Sequence, residues 1–266
     1  MQPHSQPEKT TRAAGHIVLL TSGGPMATCV ANALARRFGT ITVLQEESET
    51  KWQIMRRRAR LLGPATALGQ AICGVVLKIR ARKMRYRVGA IMTAYGLDPV
   101  PGVGLETRRI GSVNSKTCRD ALRELNPDVV AVYGTRIIRR ETLRAVRAPF
   151  INYHAGINPK YRGQHPGYWA LVNGDPEHAG VTIHLVDEGV DTGAVLYQAR
   201  VAFSAEDDIT TYQWLQMAHA LPLFAAAVED GLANRLTPRP VHLPSRQWFP
   251  PTLWAYAWNG VTRGVW

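Results

Sequence analysis

Residues 16–44 read HIVLLTSGGPMATCVANALARRFGTITVL and contain the pattern that decides the fold. The apolar run 16–20 ends in a turn of Gly and Pro, after which apolar residues recur at helical spacing from Met26 to Phe38. A second apolar run, 41–44, follows at once. A strand, a glycine turn, a helix and a second strand in this order predict a βαβ unit of a parallel sheet.

The alternation of strands and helices continues along the chain. Further strands are predicted at 128–133, 150–154, 181–186 and 194–201. Further helices are predicted at 115–125, 140–146, 165–172 and 207–230. We therefore predict an α/β fold with a doubly wound, mostly parallel sheet. It would occupy residues 15–235, between a flexible N-terminus at 1–14 and an aromatic tail at 236–266.

The net charge of +12 on 266 residues is unevenly distributed. Residues 51–90 hold eleven of the 32 Lys and Arg and no Asp or Glu, so the rest of the chain has 21 basic against 20 acidic residues. This distribution is unlike that of a uniformly basic nucleic-acid-binding protein. The basic segment 51–90 predicts helices at 51–62 and 64–87, separated by Gly63 and Pro64, and interrupts the strand and helix alternation.

Three roles for the basic segment 51–90 stay open. It could be a solvated helical cover on one sheet edge, or it could attract a phosphorylated substrate. The third role is peripheral contact with an anionic membrane, through the apolar stretch 65–79 and its cationic flank. RNA is a disfavoured partner because no RNA-binding motif accompanies the charge.

The C-terminal tail is rich in aromatic residues. It contains four of the seven tryptophans, namely Trp248, Trp254, Trp258 and Trp266. Such a cluster predicts packing on the domain or across a homodimer, with an aromatic wall against substrate or lipid as the alternative.

Cysteine usage and the N-terminus indicate the compartment. The three cysteines include no CxxC pair, so neither a disulfide framework nor a thiolate zinc site is predicted. Residues 1–14 are polar, and no apolar stretch approaches the ~20 residues that span a bilayer. We expect a cytoplasmic protein, and no metal, because the histidines lack a ligand pattern with Cys or carboxylates.

An amide and an imidazole stand two residues apart at the end of the predicted strand 150–154. Strand alternation directs the side chains of Asn152 and His154 to the same side. An amide that donates to a developing oxyanion, beside an imidazole that moves a proton, is the minimum requirement for acyl transfer. No Ser or Cys adjoins His154 in the sequence, which favours direct attack by a substrate amine without an acyl-enzyme.

Two stretches carry a resemblance to a known family. INYHAGINPKYRG (151–163) and WALVNGDPEHAGVTIHLVDEGVDTGAVLYQ (169–198) resemble the formyltransferases that use 10-formyltetrahydrofolate, which act on glycinamide ribonucleotide, methionyl-tRNA or nucleotide-linked sugars. The resemblance covers about 126–228 and implies a Rossmann-like fold. It implies that Asn152 polarises the formyl carbonyl, that His154 stabilises the tetrahedral intermediate, and that Asp191 supports a charged imidazole. Because a nearby carboxylate raises the pKa of an imidazole, we expect His154 to be cationic.

The resemblance also implies binding residues. The family binds folate with main-chain groups of two loops, which correspond here to Arg136, Ile137 and Ile138 and to Val186, Asp187, Glu188, Gly189 and Val190. For the substrate we expect the residues Ser22, Gly23, Gly24, Gly163 and His165, since a glycine turn before a helix can seat a phosphate. His184 is expected to have a structural role.

We therefore expect an enzyme that transfers a formyl group from 10-formyltetrahydrofolate to a primary amine of a small, phosphate-bearing metabolite, such as a nucleotide-linked amino sugar. Glycinamide ribonucleotide, hydroxyornithine and methionyl-tRNA stay open as acceptors. Methionyl-tRNA is disfavoured, because 36 residues after Asp230 are too few for the separate C-terminal domain of those enzymes. Hydrolysis of formyltetrahydrofolate by water, and a non-enzymatic folate or nucleotide sensor, are the remaining alternatives.

Overall fold

The computed structural model describes residues 15–266, so the predicted flexible N-terminus, 1–14, lies outside the described residues. The strands are β1 (Ile17–Thr21), β2 (Ile41–Glu46), β3 (Leu105–Ile110), β4 (Val129–Tyr133), β5 (Phe150–His154), β6 (Arg162–Gly163), β7 (Gly180–Leu185), β8 (Val195–Arg200) and β9 (Gln247–Trp248). The helices are α1 (Pro25–Phe38), α2 (Lys51–Leu62), α3 (Pro64–Lys83), α4 (Arg85–Tyr95), α5 (Lys116–Leu125), α6 (Arg140–Leu143), α7 (Pro166–Val172), α8 (Tyr212–Leu232) and α9 (Leu253–Arg263).

Within the described residues, seven of these strands form one sheet in the order β3-β2-β1-β4-β5-β7-β8. The first five strands in this order are parallel to each other. Strand β7 pairs antiparallel with β5, and β8 pairs antiparallel with β7. The predicted βαβ unit is formed by β1, α1 and β2, with Val18 opposite Thr42. The prediction of a mostly parallel sheet is confirmed.

Strand β1 explains why both faces of the sheet carry helices. All five of its residues are buried. Ile17 and Leu19 belong to one apolar cluster, with residues of α1 and α8, whereas Val18 and Leu20 belong to another, with residues of α5. Because alternate side chains of a strand point to opposite faces, a continuous apolar run needs cover on both sides. The doubly wound architecture follows from this pattern.

The basic segment 51–90 belongs to the crossover between β2 and β3. The helix predicted at 64–87 is two helices, α3 and α4, and the second continues to Tyr95. The crossover is tied to the body by ion pairs before α8, in which Arg80 Nε lies 2.5 Å from Asp208 Oδ2 and Arg87 Nε lies 2.8 Å from Asp207 Oδ1. Both carboxylates are buried. Among residues 15–266, no helix has the length and apolarity needed to cross a bilayer.

Other predicted boundaries also needed correction. The edge strand β3 was missed because its sequence, LETRRI, exposes four of six residues and shows no regular apolar alternation. Helix α6 ends at Leu143. Helix α8 begins at Tyr212 and not at 207, since Asp207 and Asp208 lie in the turn that precedes it. Helix α9, within the aromatic tail, was not predicted.

Candidate active site

The candidate site lies at the end of β5, beside the carboxyl ends of β1 and β4. Tyr153 lies in the core, where its ring is stacked on that of Tyr133 at 5.5 Å between centroids. The flanking residues Asn152 and His154 have their side chains in a polar cluster with residues of β7 and of the loop after it. The alternation of the strand thus separates the polar cluster from the core.

Asn152, His184, Asp191 and His154 form a connected chain of polar contacts. Asn152 Nδ2 lies 3.1 Å from His184 Nε2, which lies 3.6 Å from Asp191 Oδ1. Asp191 Oδ2 in turn lies 3.3 Å from His154 Nδ1. The three residues that the resemblance singled out are therefore brought together, with His184 between two of them.

The position of His184 depends on the register of two antiparallel strands. His184 on β7 lies directly opposite Asn152 on β5. Its Nδ1 lies 2.7 Å from the carbonyl oxygen of Leu185, which can only accept, so Nδ1 carries hydrogen. His184 Nε2 is then free to accept from the Asn152 amide. The sequence contains no signal for this pairing, because register is a property of the assembled sheet.

Asp191 is held as a carboxylate. Burial by itself raises the pKa of Asp191, but His154, His184 and the Gly163 N–H outweigh burial and hold this pKa well below its usual range. The Gly163 N–H donates to Asp191 Oδ2 over 3.0 Å. Gly163 was predicted as a substrate contact, and here it positions the carboxylate as well.

His154 is buried and, in contrast with the expectation from sequence, its pKa is not raised. Burial lowers the pKa of His154 below its usual value, and the opposing effect of the Asp191 charge is smaller. The direction of this pKa shift is opposite to the one behind the expectation of a cationic His154. His154 Nε2 donates to the Tyr161 carbonyl over 2.8 Å. His154 Nδ1 lies 3.3 Å from Asp191 Oδ2, which is longer than the about 2.8 Å of a charge-assisted hydrogen bond.

Gly156 and the tail residue Trp248 support this arrangement. A Cβ at Gly156 would lie 2.7 Å from His154 Nε2 and 2.4 Å from the Tyr161 carbonyl oxygen, so a larger residue would displace one of them. The Tyr161 ring is stacked on Trp248 at 5.7 Å. Strands β6 and β9 pair Gly163 with Trp248. This part of the tail packs on the domain, beside the candidate site.

A cleft of about 280 Å³ opens beside His154. His154 and Gly163 lie on its wall, together with His165, Gln213 and Arg58. Arg58 comes from α2, so the basic segment 51–90 contributes a side chain to the cleft. Burial, and then the charge of Arg58, lower the pKa of His165 to about 4. A cleft of about 310 Å³ between α7 and β8 is lined by none of these five residues.

The predicted phosphate turn lies apart from the cleft. Ser22 Oγ donates to the Gly134 carbonyl over 2.5 Å, which ties the ends of β1 and β4 together. A Cβ at Gly23 would meet the Gln45 side chain, and one at Gly24 would meet nothing within 4 Å. These residues share the carboxyl edge of the sheet with His154, but they do not line the cleft that contains it.

The two predicted folate loops adjoin the same apolar cluster, which contains Ile138 and Val186. Arg140, at the start of α6, lies with its Nε 3.1 Å from Glu188 Oε1 of the second loop. The Arg136 N–H donates to Glu46 Oε1 over 2.8 Å, so this main-chain donor is already engaged. In the part of the chain that the structure describes, no group of three or more His, Cys, Asp and Glu side chains is placed to hold a metal ion.

Fold and site together define a doubly wound α/β protein with an Asn, His and Asp cluster at the carboxyl edge of its sheet. Residues 92–219, just under half of the chain, match the family model described as formyl transferase. The resemblance to the formyl transferases that was inferred from the sequence is confirmed over this segment.

Relatives match part of this chain, and solved structures share its fold. Over 121 residues the chain is 36% identical to methionyl-tRNA formyltransferase of Thermodesulfovibrio yellowstonii, a match that covers 45% of this chain and only 39% of that protein. Glycinamide ribonucleotide transformylase 1 of Symbiobacterium toebii is 18% identical and has a TM-score of 0.57, with 92% of this chain and 98% of that chain covered. A sugar N-formyltransferase of a Shewanella species is 18% identical and has a TM-score of 0.53, with 88% and 76% covered. At such identities the structural likeness shows the fold alone.

Proposed function

We propose that this protein transfers a formyl group from a 10-formyltetrahydrofolate donor to a primary amine. The observation that carries the proposal is the connected chain Asn152, His184, Asp191 and His154, which lies beside a cleft and within the segment that matches the formyl transferase family. When bound, the donor supplies the electrophilic formyl carbon. The chain's own residues then have to hold the oxygen of that group and move one proton.

Asn152 is suited to donate a hydrogen bond to the formyl oxygen. One amide hydrogen of Asn152 is engaged with His184 Nε2, which fixes the plane of the amide. Its second amide hydrogen is available to donate to the formyl oxygen as negative charge develops there. A fixed donor of this kind is worth about 100-fold or more in turnover, because it needs no reorganisation during the reaction.

His154 is suited to accept the proton of the attacking amine. With Nε2 donating to Tyr161, the lone pair of the neutral ring is on Nδ1. The amine nitrogen forms its bond to the formyl carbon, the bond from that carbon to the donor nitrogen breaks, and His154 carries the proton from the amine to the departing nitrogen. While the proton resides on Nδ1, it faces the Asp191 carboxylate, whose charge stabilises the imidazolium.

The two loops at 136–138 and 186–190 support a site for the flat ring of the donor. Ile138 and Val186 belong to one apolar cluster, which can form an apolar wall. The N–H groups of Ile137 and Ile138 donate to no other described residue, whereas that of Arg136 is engaged by Glu46. We therefore assign recognition of the ring to the N–H groups of Ile137 and Ile138, with Arg136 in a supporting role.

Arg58 supports an acceptor that carries phosphate. Its guanidinium lies on the wall of the cleft with His154, and its Nη2 donates to Gln164 Oε1 over 3.1 Å. The neighbouring His165 is neutral at pH 7, since its pKa is about 4. The charge of Arg58 is thus offered to an anionic part of the acceptor, such as the phosphates of a nucleotide-linked amino sugar.

The test is an assay of the purified protein with 10-formyltetrahydrofolate and a panel of amines, namely glycinamide ribonucleotide, nucleotide-linked amino sugars, the same sugars without phosphate, hydroxyornithine and methionyl-tRNA. We expect tetrahydrofolate to appear only with an amine, and kcat/KM to be higher for the phosphorylated form of a sugar. Release of tetrahydrofolate without any amine would instead indicate a hydrolase. Folate binding without turnover for every amine would indicate a sensor.

A further inference from the structure

Two segments without Asp or Glu, residues 50–97 and 231–266, lie side by side in the structure. Residues 50–97 contain α2, α3 and α4, and residues 231–266 contain α9. The ring of Trp254 on α9 packs against Gly69 on α3. The two segments hold 15 of the 32 Lys and Arg, so the rest of the chain has 17 basic against 20 acidic residues. The whole excess of positive charge therefore lies on one part of the molecule.

An apolar surface runs along α3 and α9. On α3 the side chains recur at i, i+4, i+7 and i+11, and on α9 at i, i+4 and i+7, so each row occupies one side of its helix. We call these residues the α3–α9 face: Leu68, Ile72, Val75 and Ile79 on α3, and Trp254, Trp258 and Val261 on α9. All are exposed, from 42% for Ile72 to 78% for Val261.

The two rows adjoin. Trp254 lies over Gly69, and Ile72 is three residues from Gly69 on the surface of α3. Toward the end of α3, Arg80 lies 5.7 Å from the Trp266 ring that follows α9, so the contact between the two segments continues along α3. A contiguous apolar surface of large side chains is uncommon on a monomeric protein and marks a binding surface.

Basic side chains lie on α3 and on the neighbouring helices α2 and α4. Three of them form ion pairs: Arg57 with Glu49, Arg80 with Asp208 and Arg87 with Asp207. Another set is exposed and makes no ion pair with the described residues: Arg56, Arg60, Lys78, Arg82, Lys83 and Arg85. The charges beside the apolar rows thus remain available to a partner.

We propose that the α3–α9 face binds the surface of an anionic lipid bilayer. Tryptophan and aliphatic side chains would enter the headgroup region, and the surrounding Lys and Arg would contact lipid phosphates. Charge decides against a second copy, because a two-fold dimer through this face would bring two basic, acid-free surfaces together. A nucleic acid is disfavoured as the partner, because its charged phosphate backbone cannot bury the apolar side chains of the face.

The experiment measures binding of the purified protein to phosphatidylcholine vesicles with and without about one third phosphatidylglycerol. We expect at least about tenfold stronger partitioning to the anionic vesicles, and a decrease as salt is added. The double variant Lys78→Glu/Arg82→Glu should weaken binding by at least about tenfold. The double variant Val75→Gln/Trp258→Gln should also weaken it by about tenfold, because the apolar contact is lost.

Matched controls lie outside the face. Arg109→Glu on the exposed strand β3 and Val103→Gln, at a residue 98% exposed, change charge and apolarity elsewhere and should leave vesicle binding unchanged. Formyl transfer to a soluble amine should be unchanged in all of these variants, so failure here is distinguishable from failure of the proposed function. Unfolding transitions verify that each variant folds.

Three results would overturn the proposal. The first is equal binding to neutral and anionic vesicles by the protein and all variants. The second is a doubled mass in solution that Val75→Gln/Trp258→Gln abolishes, without binding to vesicles, which identifies a second copy as the occupant. The third is binding to heparin or RNA that depends on Lys78 and Arg82 but not on Val75 and Trp258, which identifies a polyanion.

Discussion

The end of β5 buries polar side chains, whereas the α3–α9 face exposes apolar ones. At the end of β5, two imidazoles, an amide and a carboxylate are largely withdrawn from water and lie in polar contact with each other. On the α3–α9 face, large apolar side chains stand in solvent and neighbouring cations lack ion-pair partners among the described residues. Buried polar groups and exposed apolar groups both cost free energy in an isolated domain, so each region indicates a function.

Helix α2 connects the two regions. It begins the acid-free segment 50–97, and its Arg58 lies on the wall of the cleft with His154. The basic residues of this segment therefore lie in two places: Arg58 lines the cleft, and the others lie on the outer surface. Substitutions that affect one region and leave the other unchanged can test this division.

The largest effect is expected from the polar cluster. Asn152→Ala or His154→Ala should lower kcat by at least about 100-fold, since each removes a group that acts on the reacting atoms. His219→Ala on α8 is the matched control, because among residues 15–266 His219 hydrogen-bonds only to the Leu215 carbonyl, and it lies outside the cleft. Steady-state kinetics of folded variants provide the measurement. A rate near that of the unaltered protein in either variant would remove the proposed mechanism.

Gly to Ala substitutions should have opposite signs in the two regions. Gly156→Ala should lower the free energy of unfolding by about 2 kcal/mol and reduce kcat, because the new Cβ meets His154 and the Tyr161 carbonyl. Gly74→Ala in α3 should raise the free energy of unfolding by up to about 1 kcal/mol, because nothing lies within 4 Å and Ala favours helix. Urea titrations measure both values. The same sign for both variants would contradict the geometry described at Gly156.

Arg58 should affect binding of the acceptor more than turnover. Arg58→Gln should raise KM about tenfold for a phosphorylated acceptor, with a small change in kcat, because a charge-assisted contact is lost. Arg56→Gln, on the exposed side of α2, should change KM little while lowering affinity for anionic vesicles. Equal KM values for both variants would show that the cleft does not use the charge of α2.

The smallest effect is a dependence of stability on pH. His165 has a pKa of about 4 in the folded protein and a usual value of 6.5, so below pH 6.5 the unfolded chain binds a proton that the folded protein does not. The free energy of unfolding should therefore fall by about 1 kcal/mol from His165 alone between pH 6.5 and about pH 5.5. His154, whose pKa is also lowered, acts in the same direction. His165→Gln should reduce the slope, and an unchanged slope would contradict the assignment.

Much of the fold was readable because its strands are buried on both faces. Continuous apolar runs such as 16–20 and 150–154 predict strands whatever surrounds them. The edge strand β3 was missed because an exposed strand has no such pattern. Its strand conformation is stabilised by hydrogen bonding to β2, which the sequence of β3 does not show. Helix α9 was missed because its sequence also suits an aromatic tail without regular structure.

For the candidate site, the sequence placed Asn152 and His154 on one side of a strand and, through the family resemblance, added Asp191. It gave His184 a structural role but not its contact with Asn152, which depends on the antiparallel register of β5 and β7. It did not single out Arg58 or Gly156 either, because their importance comes from residues distant in the chain or from a contact in the folded loop.

The sequence by itself determined the doubly wound sheet, the family resemblance and the concentration of basic residues in 51–90. Only the tertiary structure decided the direction in which the pKa of His154 shifts, since burial changes a pKa and burial is a property of the packed molecule. Only the tertiary structure brought together residues 50–97 and 231–266, which are far apart in the chain. Local patterns follow from neighbouring residues, whereas burial and long-range contact exist only once the elements pack.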